Sequence, residues 1–112
     1  MYLVTAVLKP HRLEEVTAAL KELDISGVTV SEVQGFGRQR GHTEVYRGSE
    51  YQVDYVPKVR VDVVCDAADV DKVADVIADS ARTGKIGDGK IWITEVSRLV
   101  RIRTGEAGAD AL

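Results

Sequence analysis

VTVSEVQGFGRQRGHTEVYRGSEYQVDYVPKVRVDVVC, residues 28–65, decides how this chain is arranged. Its two ends look like strands. Residues 28–34 are rich in β-branched side chains, and Val59, Val61, Val63 and Cys65 alternate with Arg60 and Asp62, the period of two expected of a half-buried strand. Between them lies a polar run, Gly35 to Pro57, far longer than a hairpin turn needs. Connections of that length without a helical or strand pattern are uncommon in compact domains and usually functional. The reading is a long loop, centred on residues 37–55, joining two strands of one sheet. Gly35, Gly37, Gly41 and Gly48 punctuate the run, while Arg38, Gln39, Arg40, Arg47 and Lys58 supply donors suited to an anion at its base. A solvated insertion would carry similar charges.

Outward from this stretch, Tyr2–Leu8 is an apolar run of strand formers, ended by Lys9 and Pro10. Leu13, Val16, Leu20 and Leu23 then recur at helical spacing with Glu14, Glu15, Lys21 and Glu22 opposite, an amphipathic helix that admits Pro10 at its entry. After residue 65, Asp66 and Asp69 offer a cap and first-turn charge to a second helix with the stripe Val70, Val73, Ala74, Ile77 and Ala81. A glycine-rich loop, residues 82–90, leads into a fourth strand over 91–96. Residues 99–103 are expected to extend or pair with the sheet, and 104–112 to form a flexible tail. The order strand, helix, strand, strand, helix, strand predicts a single α+β domain over 1–112 with the ferredoxin-like βαββαβ arrangement, both helices on one sheet face. The other face would then lie bare. Its apolar residues make it an association surface, and a closed homo-oligomer is expected.

Composition narrows the function. The chain has 112 residues and a net charge of −3, which argues against a general electrostatic grip on nucleic acid. The single cysteine, Cys65, sits in an apolar run and reads as a buried thiol. With no secretory or long apolar segment visible, a cytoplasmic location is expected. Gly84 to Lys90 has the spacing of a P-loop, but Ile91 stands where a Ser or Thr should ligate magnesium, and a helix ends where one should begin. What remains is a set of glycines that let backbone amides approach an anion, near Lys85 and Lys90, or simply a helix cap and turn. Gly35 and Gly37 start no dinucleotide fingerprint, because Arg40 replaces its third glycine. His11 and His42 have no cysteine near them, so zinc has little support. No catalytic pair or triad is recognisable, and the chain is not expected to be an enzyme. Arg101 and Arg103 project to one side if extended, as a phosphate clamp or as solubilising charges.

The combination QGFGRQRGHTEVYRGSEY, VPKVR, ARTGKIGDGKIW and VRIRTGE closely resembles the PII nitrogen-regulatory signal-transduction proteins. That resemblance runs from the first strand to the tail. It implies a homotrimer with a nucleotide site in each cleft between subunits, where ATP and ADP compete and 2-oxoglutarate joins Mg2+ and ATP. It further implies that Thr29 and Val64 line the adenine pocket, that Gly37, Arg38, Gly87, Asp88, Gly89 and Lys90 hold ribose and phosphates, and that Arg101 and Arg103 reach phosphates from the neighbouring subunit. Gln39 would help ligate magnesium. Lys58 would pair with a 2-oxoglutarate carboxylate, aided by amides near Arg40, Gly41 and Gly87. Arg40 stands where many members have Lys, and Asp62 where many have Glu, changing reach but not charge.

The resemblance makes the long loop the output, with Tyr46, Ser49 and Tyr51 as candidate modification sites. Tyr51 matches the position nucleotidylylated in many bacterial relatives, and Ser49 the one phosphorylated in others. Expected partners are an ammonium transporter, a modifying nucleotidyltransferase, and enzymes or regulators of glutamine synthesis. Two other classes compete with this sensor. The ferredoxin-like topology also serves RNA-binding modules, which want sheet-face aromatics in a chain that is only 5% aromatic. A site for magnesium and ATP would also suit a weak ATPase, although no base is placed to activate water.

Overall fold

The computed structural model describes residues 1–25, 27–36, 42–46, 49–53 and 55–112, with 42–46 and 49–53 described by their backbone alone. Strand β1 (Tyr2–Leu8) is followed by a 3-10 turn, Pro10–Arg12, and helix α1 (Leu13–Glu22). Pro10 opens that turn, where its missing N–H costs no hydrogen bond. Strand β2 (Val28–Gly35), a hairpin of β3 (His42–Tyr46) and β4 (Ser49–Val53), and β5 (Val56–Cys65) come next. Helix α2 (Val70–Ala81) and strand β6 (Gly89–Glu95) complete the regular elements.

β2, β5, β1 and β6 form one antiparallel sheet in that spatial order. The crossover from β1 through α1 to β2 leaves a gap that β5 fills, which is the ferredoxin-like α+β arrangement. One sheet face carries the core. Val4, Ala6 and Leu8 of β1 meet Val59, Val61, Val63 and Cys65 of β5, and Val16, Leu20, Val73, Ile77 and Ala81 press down from the helices. Each fully buried side chain of Val, Leu or Ile size contributes about 1.5–3 kcal/mol, so the alternation of β5 and the two helical stripes suffice to fix the layers. Burial pushes the Cys65 thiol above its ordinary pKa, and the charges of Asp69 and Asp66 add to the rise.

On the other face the register sets residues in rows: Thr29–Asp62–Thr5–Trp92 and Ser31–Arg60–Val7–Lys90. No helix among the described residues covers them. Thr5 is nevertheless fully buried, because its hydroxyl donates to Asp62 at 2.7 Å and Arg60 Nε donates to the other carboxylate oxygen at 2.9 Å. Leu3, Val7, Val33 and Val64 are half-buried there and Trp92 is exposed. The face is a mixture, apolar around a polar triad.

Four expectations are corrected. Inside the stretch read as a patternless loop the chain pairs with itself from His42↔Val53 to Tyr46↔Ser49, since Thr43, Val45, Tyr46, Tyr51 and Val53 are strand formers in a polar setting. Asp66 stands at the N-cap of a 3-10 turn, Ala67–Asp69, with Asp69 as its first-turn charge, but neither side chain makes a cap hydrogen bond, and α2 starts only at Val70. Residues 99–103 do not join the sheet. Residues 104–112 fold back instead of trailing, with Arg101 N–H donating to Glu106 O at 2.9 Å, Gly108 N–H to Leu99 O at 3.0 Å, and a closing 3-10 turn, Gly108–Ala111. Gly105 and Gly108 have positive φ, which turns the chain back before it can extend.

Candidate functional site

The glycine-rich loop between α2 and β6 is built around one carboxylate. Asp88 accepts the Thr83 hydroxyl, the Thr83 amide at 2.9 Å and the Gly84 amide at 2.8 Å. Lys9, just past β1, reaches over to donate to Thr83 Oγ1 at 3.0 Å and pairs with Asp88 at 3.3 Å. The Thr83 hydroxyl and then the two amides and Lys9 hold the Asp88 carboxyl well below the usual carboxylate range, outweighing its desolvation. Gly89 pairs with Leu8 at the start of β6, so the loop leaves the sheet beside the end of β1.

Lys58 enters from β5 on the uncovered face. It is only 8% exposed, and its ammonium donates to the carbonyl of Gly87. Desolvation, reinforced by the neighbouring charge of Lys9, lowers the Lys58 pKa against the opposing pull of Asp88. Gly35 lies against this side chain: a Cβ there would sit 3.2 Å from Lys58 Cγ. An open recess of about 610 Å³ beside it is lined by Glu32, Val33, Gln34, Pro57 and Lys58. Two ammonium groups, a loop of glycines and a recess therefore meet where the 36–55 connection leaves the sheet. An anion arriving there finds cationic donors already partly stripped of water.

The structure brings together Gly87, Asp88, Gly89 and Lys58 from the sequence-derived set. Lys90 follows on the uncovered face, opposite Val7. The Asp88 oxygens are engaged by the loop it organises. Thr29 and Val64 are neighbours on the same face but at its far end, opposite Asp62 and Leu3. Val64 lies six residues from Lys58 along β5, roughly 20 Å. Arg101 and Arg103 belong to the C-terminal turn, not to an extended clamp: Arg101 is held by Glu106 at 3.0 Å and by the Leu112 carbonyl at 2.8 Å. Gly37, Arg38, Gln39, Arg40 and Gly41 lie outside the described residues, as do the side chains of Tyr46, Ser49 and Tyr51. Among the described residues no group of three or more His, Cys, Asp or Glu side chains is placed to hold a metal ion.

Lys9 and Thr83 escaped the sequence reading. For Thr83 a signal exists, since a threonine followed by glycine and, five residues on, by aspartate can close a loop through local side-chain hydrogen bonds. Lys9 carries none: its partner is 74 residues away.

The family model described as "Nitrogen regulatory protein P-II" matches residues 1–106. The nitrogen regulatory protein GlnK of Escherichia coli K12 is 54% identical over 112 residues, spanning all of both chains. The nitrogen regulatory protein P-II of Azospirillum brasilense is 53% identical over 109 residues, 97% of each chain. Among solved structures, the chain is similar to Arabidopsis thaliana PII bound to citrate, with a TM-score of 0.82 and 40% identity, covering 99% of this chain and 91% of that one.

Proposed function

Because the chain belongs to the nitrogen regulatory protein P-II family, we propose that it reports nitrogen, carbon and energy status by binding ATP or ADP and, with Mg2+ and ATP, 2-oxoglutarate. Lys58 carries this reading: a lysine buried to 8% exposure, turned onto the Gly87 carbonyl at the base of the connection to the hairpin. A small dicarboxylate is a suitable guest there, since it exchanges one carbonyl acceptor for a charged one. The Arabidopsis relative was solved with citrate, also a small polycarboxylate.

In this reading the protein is a homotrimer, and each nucleotide lies between neighbours. That arrangement would reunite residues one chain keeps apart. Thr29 and Val64 take the adenine, and Arg38 with Gly37, Gly87, Gly89 and Lys90 takes ribose and phosphates. Asp88 shapes the loop that presents those amides, while Arg101 and Arg103 approach the phosphates from the next subunit. Gln39, with ligand oxygens, would hold the magnesium, which offsets repulsion between triphosphate and dicarboxylate. Arg40 and Gly41 would close on the acid opposite Lys58. Ligands at the base of the connection would then bias the hairpin, whose conformation partners read, which requires differential affinity for its states. The partner classes that fit are an ammonium transporter, a nucleotidyltransferase and regulators of glutamine metabolism. A nucleotidyl group on Tyr51, or a phosphate on Ser49, would obstruct docking by bulk and charge.

Calorimetry tests the core of this. 2-Oxoglutarate should bind with Mg2+ and ATP and fail to bind with ADP; equal affinity without nucleotide overturns the proposal. Lys58→Met should cost about 1.5–3 kcal/mol of 2-oxoglutarate binding, on the order of ten- to a hundredfold, with ADP affinity little changed.

A further inference from the structure

The C-terminal turn is closed by two kinds of contact with different consequences. Its backbone bonds, Arg101 N–H to Glu106 O, Gly105 N–H to Arg101 O and Gly108 N–H to Leu99 O, lie between 2.8 and 3.0 Å and do not involve the Glu106 side chain. The ion pair between Arg101 Nη1 and Glu106 Oε1, also 3.0 Å, joins through their side chains two residues that the backbone already pairs. It does change the guanidinium. A cation assigned to a polyphosphate already carries a carboxylate on one arm, and its other terminal nitrogen donates to the Leu112 carbonyl at 2.8 Å. Both side chains are partly solvent-accessible, 33% and 47% exposed, so a competing anion can reach the pair.

We propose that Glu106 sets the protein's affinity for nucleotide polyphosphates by occupying Arg101, an internal competitor that the phosphates must displace. The proposal rests on the nucleotide reading above. A guanidinium binds phosphate best through two parallel N–H donors, and Glu106 takes one of them while its charge repels the incoming anion. The more highly charged the ligand, the larger that penalty. Glu106 therefore favours ADP relative to ATP, acting on the ratio of the two nucleotides. Arg103 has no such carboxylate partner among the described contacts.

The test is calorimetric titration of the full chain with ATP and with ADP, for wild type, Glu106→Gln, Arg101→Ala and the double variant, at low and high salt. Glu106→Gln keeps shape and removes charge. It should tighten ATP about threefold, the scale of an exposed ion pair, and ADP less, with the gain shrinking as salt screens it. Arg101→Ala should weaken ATP roughly tenfold or more, and adding Glu106→Gln to it should restore nothing. NMR shifts of the Arg101, Gly105 and Gly108 amides should show the turn intact in Glu106→Gln. If that variant binds ATP no better than wild type while Arg101→Ala binds worse, Glu106 is no competitor and the proposal falls with the nucleotide reading untouched. Unchanged ATP binding in Arg101→Ala overturns both the proposal and the phosphate role of Arg101. A wild-type chain that binds no nucleotide overturns the broader reading and this inference with it.

Discussion

Gly89 has φ +101°, and a Cβ built there would lie 1.7 Å from the Val7 carbonyl oxygen. Strand β6 must start this close to β1 because Gly89 pairs with Leu8, so no side chain is tolerated. Gly89→Ala should cost more than about 3 kcal/mol, combining left-handed strain with a backbone clash. Gly84 shares the positive φ but faces open space, and Gly84→Ala should cost only about 1–2 kcal/mol. Urea midpoints at unchanged slope measure both. The neighbouring Asp88 adds a pH dependence with a defined sign. Its folded pKa lies below the ordinary 3.8, so the order it lends the loop is fully present above that value and is lost as pH falls below about 4. The amide shifts of Thr83 and Gly84 should stay constant from neutral pH down through about pH 4 and move only in stronger acid, below the ordinary carboxylate range. In Asp88→Asn they should be displaced already at neutral pH and show no such step.

At the scale of elements, the hairpin forms a two-stranded sheet of its own, while the other strands share a four-stranded sheet. A two-stranded ribbon is marginal in water, and three or more strands over an apolar face are needed for independent stability. Backbone amides of β3 and β4 should therefore exchange on the order of a hundredfold faster than those at the centre of β1. Replacing residues 42–53 with a short Gly-Ser linker should leave the urea midpoint of the domain nearly unchanged; a large loss would show that the hairpin supports the core. The α/β alternation around this hairpin was legible in sequence because Val59, Val61, Val63 and Cys65 keep period two while α1 and α2 keep helical stripes. The hairpin was not, because its two runs are only five residues each and set Glu44, Glu50 and Gln52 among their strand formers, so that they read as part of a polar connection.

For the whole molecule, the uncovered sheet face asks for a partner. Trp92 is 42% exposed there, in a row with Thr5 and Asp62, with Arg60 in the next row and half-buried Leu3, Val7 and Val64 on the same face. Sedimentation should return about three times the 12.2 kDa chain mass, and Trp92→Glu should shift the protein toward that single-chain mass by placing an unpaired charge in the interface. A wild-type protein that sediments as one chain at micromolar concentration would overturn the trimer. The sequence by itself determined the four strands of the main sheet and the two helices, their order, the layer they form and the glycine-rich character of the site. Those properties are local: side-chain period, β-branching and turn residues act within a few positions of the chain. Only the tertiary structure decided that Lys9 would stitch Thr83 and Asp88 to the end of β1, and that Lys58 would turn onto Gly87. It alone folded residues 99–108 back so that Arg101 meets Glu106. The first two are contacts between charged or polar groups distant in sequence, and the third depends on a turn that takes the chain away from the sheet. Neither leaves a periodic trace, because a single hydrogen bond is placed by where the backbone crosses and not by any repeating pattern along it.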